Sequence, residues 1–276
     1  MKRRFLAIAC MLTLIVGLSS CGNNESQKTS KNEKTPVETN NEEKKDIIVF
    51  AAASLTESLT ELKDMYEREN PDVNITYNFD SSGTLKTQIE EGATCDVFIS
   101  ASNKPMDELE ESDKGESLIS PDSRIDLLEN ELVLAVREDS DKDINSFEDL
   151  KSDKAESIAL GNSDVPAGDY AKKLLTNLGI WNEVSNKASF ASNVKEVTSW
   201  ISESAVDCGI IYSTDAKAEE LKVVDRASKD QLKEDIVYPA ALVEKSNEKE
   251  EGKKFLEYLN SDQASKVFKD YGFKKD

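Results

Sequence analysis

The chain has 276 residues, 38% of them hydrophobic, a formal net charge of -20 and no histidine. That length suits two lobes of about 100–130 residues each rather than one small domain. So acidic a chain is a poor partner for nucleic acid, whose phosphates call for a basic stripe. The lack of histidine removes Ser-His and Cys-His nucleophile pairs and His-based zinc sites, and leaves Lys- and carboxylate-based chemistry open.

The N-terminus is the most legible segment. Lys2-Arg3-Arg4 forms a basic start, and residues 5–17 make an apolar run too short to span a bilayer comfortably. Leu18-Ser19-Ser20-Cys21 follows and resembles a bacterial lipobox. The reading is a signal peptide over 1–20 and diacylglycerol attachment at Cys21, which places the protein on the cell membrane, lipid-anchored on the extracytoplasmic face. Within 22–45 the only large apolar side chain is Val37. Such a segment cannot bury enough surface to offset its ordering entropy, so 21–45 is expected to be the lipidated N-terminus and a disordered tether. Cys10 leaves with the signal. Cys95 and Cys208 are expected as buried free thiols in different lobes, although export would permit a disulfide.

The folded part begins at Asp46. Residues 47–53 read as a fully buried strand. Ser54 then opens a helix bearing Leu55, Leu59, Leu62 and Tyr66, with Ser54 and Glu57 spaced as a capping box. Val73, Ile75, Tyr77 and Phe79 alternate as a second strand. A turn over 80–84 leads to a helix through Leu85 and Ile89, and 96–100 is a third strand. Strands follow at 132–136 and 157–160. A turn over 161–168 enters a helix with Leu174, Leu175 and Leu178. A loop leads to Asn193 and a helix presenting Val194, Val197, Trp200 and Ile201. Strands at 208–212 and 236–243 precede helices carrying Phe255, Leu256, Leu259, Val267 and Phe268. Alternating strands and helices predict mainly parallel sheets with helices on both faces.

Chemistry concentrates at strand-to-helix turns, at Ser54, Ser82 and Pro166-Ala167-Gly168. A helix start leaves backbone N–H groups unpaired and carries positive partial charge, so several such ends in one cleft bind an anion without a formal cation. Serine is also the commonest of helix caps, and each turn alone reads equally as structure.

A series of segments adds to this reading: Val49-Phe50-Ala51-Ala52-Ala53-Ser54-Leu55, Ser81-Ser82-Gly83-Thr84-Leu85, Asp96-Val97-Phe98-Ile99-Ser100-Ala101, Val165-Pro166-Ala167-Gly168-Asp169-Tyr170-Ala171, Asn193-Val194, Gly209-Ile210-Ile211-Tyr212-Ser213-Thr214-Asp215-Ala216, Tyr238-Pro239 and Tyr271-Gly272-Phe273. In this order they resemble the periplasmic molybdate-binding proteins, over essentially all of 46–273. The resemblance implies an α/β, two-lobed class II periplasmic-binding-protein-like fold with the ligand in the interlobe cleft. It also implies capture of molybdate and tungstate for an ABC importer, a permease with its ATPase as partner, a monomer, no cofactor and no enzymatic activity. Carried over by position, Ser54 and Ser82 become hydroxyl and N–H donors, Ala167 and Val194 backbone N–H donors, and Tyr212 a phenolic donor. The resemblance then implies no cation site, with molybdenum held only as the oxyanion. Two departures stand out: Gly83 where a further serine is common, and Lys195 where an arginine is common.

Rival readings are a sulfate binder on the same fold and an exported serine hydrolase. The hydrolase lacks a histidine base, and Ser82-Gly83-Thr84-Leu85 lacks the S-x-x-K spacing. The chain also lacks a phosphate loop of its own for ATP. The lobes are expected at 46–129 plus 224–276 and at 130–223, so the chain crosses twice, an arrangement that favours hinge closure.

Overall fold

The computed structural model describes residues 44–111 and 115–275, which belong to one compact unit. The expected signal peptide, the lipid site at Cys21 and all but the last two residues of the expected tether lie outside the described residues.

Ten strands fall into two five-stranded sheets. The first sheet opens with β1 (Lys45–Ala52), a short 3-10 turn (Ala53–Leu55) and α1 (Thr56–Glu69). It continues through β2 (Val73–Asp80), α2 (Ser82–Glu90), β3 (Val97–Ile99), α3 (Asn103–Glu110) and β4 (Ile125–Asn130). The second sheet holds β5 (Leu132–Val136), β6 (Ile158–Gly161), α4 (Pro166–Asn177), α5 (Trp181–Ser185), β7 (Ala188–Ala191), α6 (Val194–Ser202), β8 (Cys208–Tyr212), α7 (Ser213–Ala218) and β9 (Lys222–Arg226). After α8 (Lys229–Leu232) the chain returns to the first sheet as β10 (Ile236–Leu242) and ends in α9 (Lys249–Leu259) and α10 (Asp262–Tyr271). The strand orders are β2-β1-β3-β10-β4 and β7-β6-β8-β5-β9.

Both faces of the first sheet are buried, which explains the unbroken apolar run of β1. Val49 and Ala51 face a core that includes Leu59, Leu62 and Phe255, from α1 and α9. Phe50, between them, joins Phe98, Ala241, Leu85 and Met106 on the opposite face. Successive strand side chains point to opposite faces, so a strand covered on both sides has no polar alternation to show.

The sheets are mixed, and half of the strand pairings are antiparallel. In each sheet one strand runs against the other four: β10 in the first and β5 in the second. Each is the strand entered directly after a crossing. The first crossing is the single residue Glu131, between β4 and β5. The second comes later than 223–224, where the sequence placed it. β9 stays paired to β5 through Arg226, because Val223 and Asp225 continue that ladder, and the return to the first sheet falls between Arg226 and Ile236. Three edge strands, β4, β7 and β9, were not expected. Cys95 and Cys208 are both buried and free.

Candidate anion-binding cleft

Ser54 does not cap α1. It lies within the 3-10 turn, the capping position of α1 is Leu55 with no side-chain cap, and the Ser54–Glu57 box does not form. The 3-10 turn moves the capping position on by one residue, from Ser54 to Leu55, which leaves the Ser54 hydroxyl buried and free for another partner. That partner is Tyr238, with 3.0 Å between Ser54 Oγ and Tyr238 Oη. The Tyr238 oxygen also accepts from Asn130 Nδ2 at 3.1 Å, and Asn130 donates as well to Thr214 Oγ1 at 2.9 Å. The Asn130 amide is fixed in this sense because its Oδ1 accepts from the Glu131 N–H at 2.8 Å and from Ser213 Oγ at 3.1 Å. Either oxygen of the Ser54–Tyr238 pair can donate; with Asn130 already donating to Tyr238, the sense in which the phenol gives its proton to Ser54 leaves the Ser54 proton for the cleft.

Ser82 is arranged to the same effect. It is the first residue of α2, and Ser81 is the cap, its side chain accepting from the Thr84 N–H. The fully buried Ser82 hydroxyl accepts from the Ala101 N–H at 2.9 Å, so its own proton remains available. The Ala101 carbonyl in turn receives the Tyr212 hydroxyl at 3.2 Å. Ser82 and Tyr212, from different halves, therefore meet at one residue, Ala101. Burial holds the Tyr212 and Tyr238 phenols well above the usual range, so both are neutral donors. Tyr212 has one proton and spends it on Ala101 here. To serve a ligand, its hydroxyl must turn from that carbonyl.

Ala167 and Val194 are the second and first residues of α4 and α6. N–H groups in the first turn of a helix have no partner within it. In α6 the Asn193 side chain takes the Glu196 N–H, and in α4 Pro166 has no N–H to place. The start of α4 is pressed onto β6: a Cβ on Gly168 would lie 2.2 Å from the Gly161 carbonyl oxygen, so only glycine fits.

Three further bonds join the two halves around these groups. The Gly83 N–H donates to the Asp164 carbonyl at 2.9 Å. Lys104 pairs with Asp169 at 3.0 Å. On the α1–α6 side, Lys195 Nζ stands 2.8 Å from Glu57 Oε1. All five predicted donors, Ser54, Ser82, Ala167, Val194 and Tyr212, are buried. Among the described residues no group of carboxylates and thiols is placed to hold a metal ion, and no helix is long and apolar enough to cross a membrane.

The profile of the bacterial extracellular solute-binding proteins matches residues 47–274. The chain belongs to that family. It is 37% identical over 232 residues to the molybdate-binding protein ModA of Haemophilus influenzae, covering 82% of this chain and 89% of the relative. It is 35% identical over 275 residues to YvgL of Bacillus subtilis, provisionally named an ABC transporter substrate-binding lipoprotein, covering 99% of each. A solved structure from Clostridium difficile, the substrate-binding domain of a provisionally assigned molybdenum ABC transporter, superimposes with a TM-score of 0.63 at 36% identity, covering 84% of this chain and 99% of that one. The fold is the two-lobed class II architecture of these binding proteins.

Several residues of the cleft escaped the sequence reading. Tyr238 stood in a quoted motif without a role, and Asn130 marked only the crossing. Asp215 also stood in a motif, yet its side chain is fully buried beside Lys195. The signal for Asp215 was an acid placed in an apolar strand-to-helix turn. Nothing in the spacing of Asn130 and Tyr238 shows that they meet.

Proposed function

We propose that this protein captures molybdate, or the nearly identical tungstate, outside the cytoplasm and delivers it to an ABC permease with its ATPase. In this reading Cys21 carries the lipid that holds it at the membrane, and the protein acts as a monomer. Ser54, Ser82, Ala167, Val194 and Tyr212 donate to the oxyanion, and the molybdenum atom has no direct protein ligand.

The observation that carries this reading is the arrangement of the two serines. The Ala101 N–H occupies the Ser82 oxygen, and the Tyr238 hydroxyl can do the same for Ser54, so that each serine has an uncharged O–H to give. Two first-turn N–H groups from the other half complete a donor-only set. Such a set suits a fully ionised tetrahedral dianion. It penalises one that carries a proton, because an O–H would face an N–H with no acceptor. Phosphate is disfavoured for that reason, and sulfate only by size. The same contacts argue against a nucleophilic serine, since neither hydroxyl meets a base.

Calorimetric titration of the protein with molybdate, tungstate, sulfate and phosphate tests this. Tight one-to-one binding of the first two is expected, with the others weak or silent. Tight sulfate binding without molybdate binding would overturn the specificity and keep the oxyanion site.

A further inference from the structure

Asp215 is the anomaly of the cleft. It lies in the first turn of α7, three residues after Tyr212, and its side chain is fully buried. Both carboxylate oxygens lack a hydrogen bond. Its one close cation is Lys195, whose Nζ stands 3.5 Å from Oδ1, near enough for charge attraction but without hydrogen-bond geometry. Lys195 is turned instead to Glu57 in the opposite half, reaching both carboxylate oxygens at 2.8 and 2.9 Å. An ionised carboxylate without hydrogen bonds in a dry interior is costly, and here two carboxylates compete for one ammonium.

The other groups around Asp215 do not relieve it. Glu57 from α1 and Glu219, just past the end of α7, add negative charge. Tyr212 of β8 and Tyr238 of β10 are neutral phenols bonded to Ala101 and Ser54, and neither makes a hydrogen bond to Asp215. β5 has no titratable side chain. In β9, Asp225 takes the Phe147 N–H and Arg226 pairs with Glu131. α10 meets α7 where Lys217 Nζ donates to the Asp270 carbonyl at 2.6 Å.

We infer that closure of the cleft on a dianion is coupled to uptake of one proton by Asp215, with Lys195 passing from Asp215 to Glu57 as the halves meet. In the open form Lys195 neutralises Asp215. In the closed form Glu57 claims the ammonium, the dianion lies near the Tyr212 turn, and Asp215 is left as a neutral carboxylic acid. The proton comes from bulk solvent and forms an O–H on an Asp215 oxygen, so the complex gains the dianion and one proton. This inference rests on the oxyanion reading above.

Titration direction agrees with it. Burial first, then Glu57, pushes Asp215 up to about 7, against the pull of Lys195. A group whose pKa is higher in the bound form takes up a proton on binding. Affinity is then full below the open-form pKa, and falls by up to about tenfold per pH unit between the open-form and closed-form values.

Titration of the full-length chain with molybdate at about pH 6, below the closed-form value of Asp215, in buffers of different ionisation enthalpy, counts the proton. Uptake approaching one proton per molybdate is expected in the native chain, and close to none in Asp215→Asn. Glu57→Gln changes a partly exposed side chain and spares the core; it is expected to lower uptake, because Lys195 then stays with Asp215. Binding with no buffer-dependent heat, or uptake undiminished in both variants, overturns the coupling and leaves molybdate capture standing. Absence of binding to any oxyanion overturns both.

Discussion

The two halves furnish the cleft by different means. The first offers hydroxyls, Ser54 held against the Tyr238 hydroxyl and Ser82 held by the Ala101 N–H. The second offers chiefly backbone, the N–H groups at the starts of α4 and α6, where the side chains of Ala167 and Val194 serve packing. The difference teaches that side-chain truncation interrogates only one half. In the other half the chemistry belongs to the helix start, and any residue with an N–H supplies it.

Val194→Pro breaks this comparison most directly. Proline suits the first helical position and Asn193 is extended, so α6 forms while the N–H is gone. A charge-assisted hydrogen bond lost from a buried site costs about 1.5–3 kcal/mol, roughly ten- to hundredfold in affinity. Calorimetry should show that loss with little change in the melting temperature of the free protein. Ser82→Ala comes next, with roughly tenfold weaker binding and, unlike Val194→Pro, a less stable free protein. The Ala101 N–H loses its acceptor there, at about 1–3 kcal/mol. Thermal unfolding without ligand separates the two effects.

Gly83→Ala probes the seam between the halves. A Cβ at Gly83 would lie 2.6 Å from the Asp164 carbonyl oxygen, so the halves cannot meet as they do here. Stopped-flow measurement should show ligand release several-fold faster, with capture nearly unchanged. The smallest effect is expected of Val194→Ala, within about twofold in affinity, because the N–H stays and only packing is trimmed. Equal losses from Val194→Ala and Val194→Pro would mean that the side chain matters and the two halves do not differ.

What sequence showed and what it hid follow one physical line. Strands covered on both faces, such as β1 and β8, announce themselves as unbroken apolar runs. The edge strands β4, β7 and β9 do not: Asp126 and Glu129 interrupt the first, Phe190 stands 46% exposed in the second, and Lys222 and Arg226 bracket the third. Strand-to-helix turns exposed the helix starts at Ser82, Ala167 and Val194. The capping-box pattern misled at Ser54, because spacing alone does not reveal a 3-10 turn that moves the helix start onward. Contacts made across long sequence separations, Asn130 to Tyr238 or Lys195 to Asp215, leave no periodic trace.

Glu131 is the whole of the first crossing, and its carboxylate is pinned from both sides. Arg226, from the end of β9, reaches it at 2.8 Å, and Lys274, from the end of the chain, at 2.6 Å. Lys274 exchanges backbone hydrogen bonds with Glu129 as well, at 2.8 and 2.9 Å. Lys274 is thus stitched into the axle on which the two sheets are mounted, and what looks in sequence like part of a charged tail is a rivet.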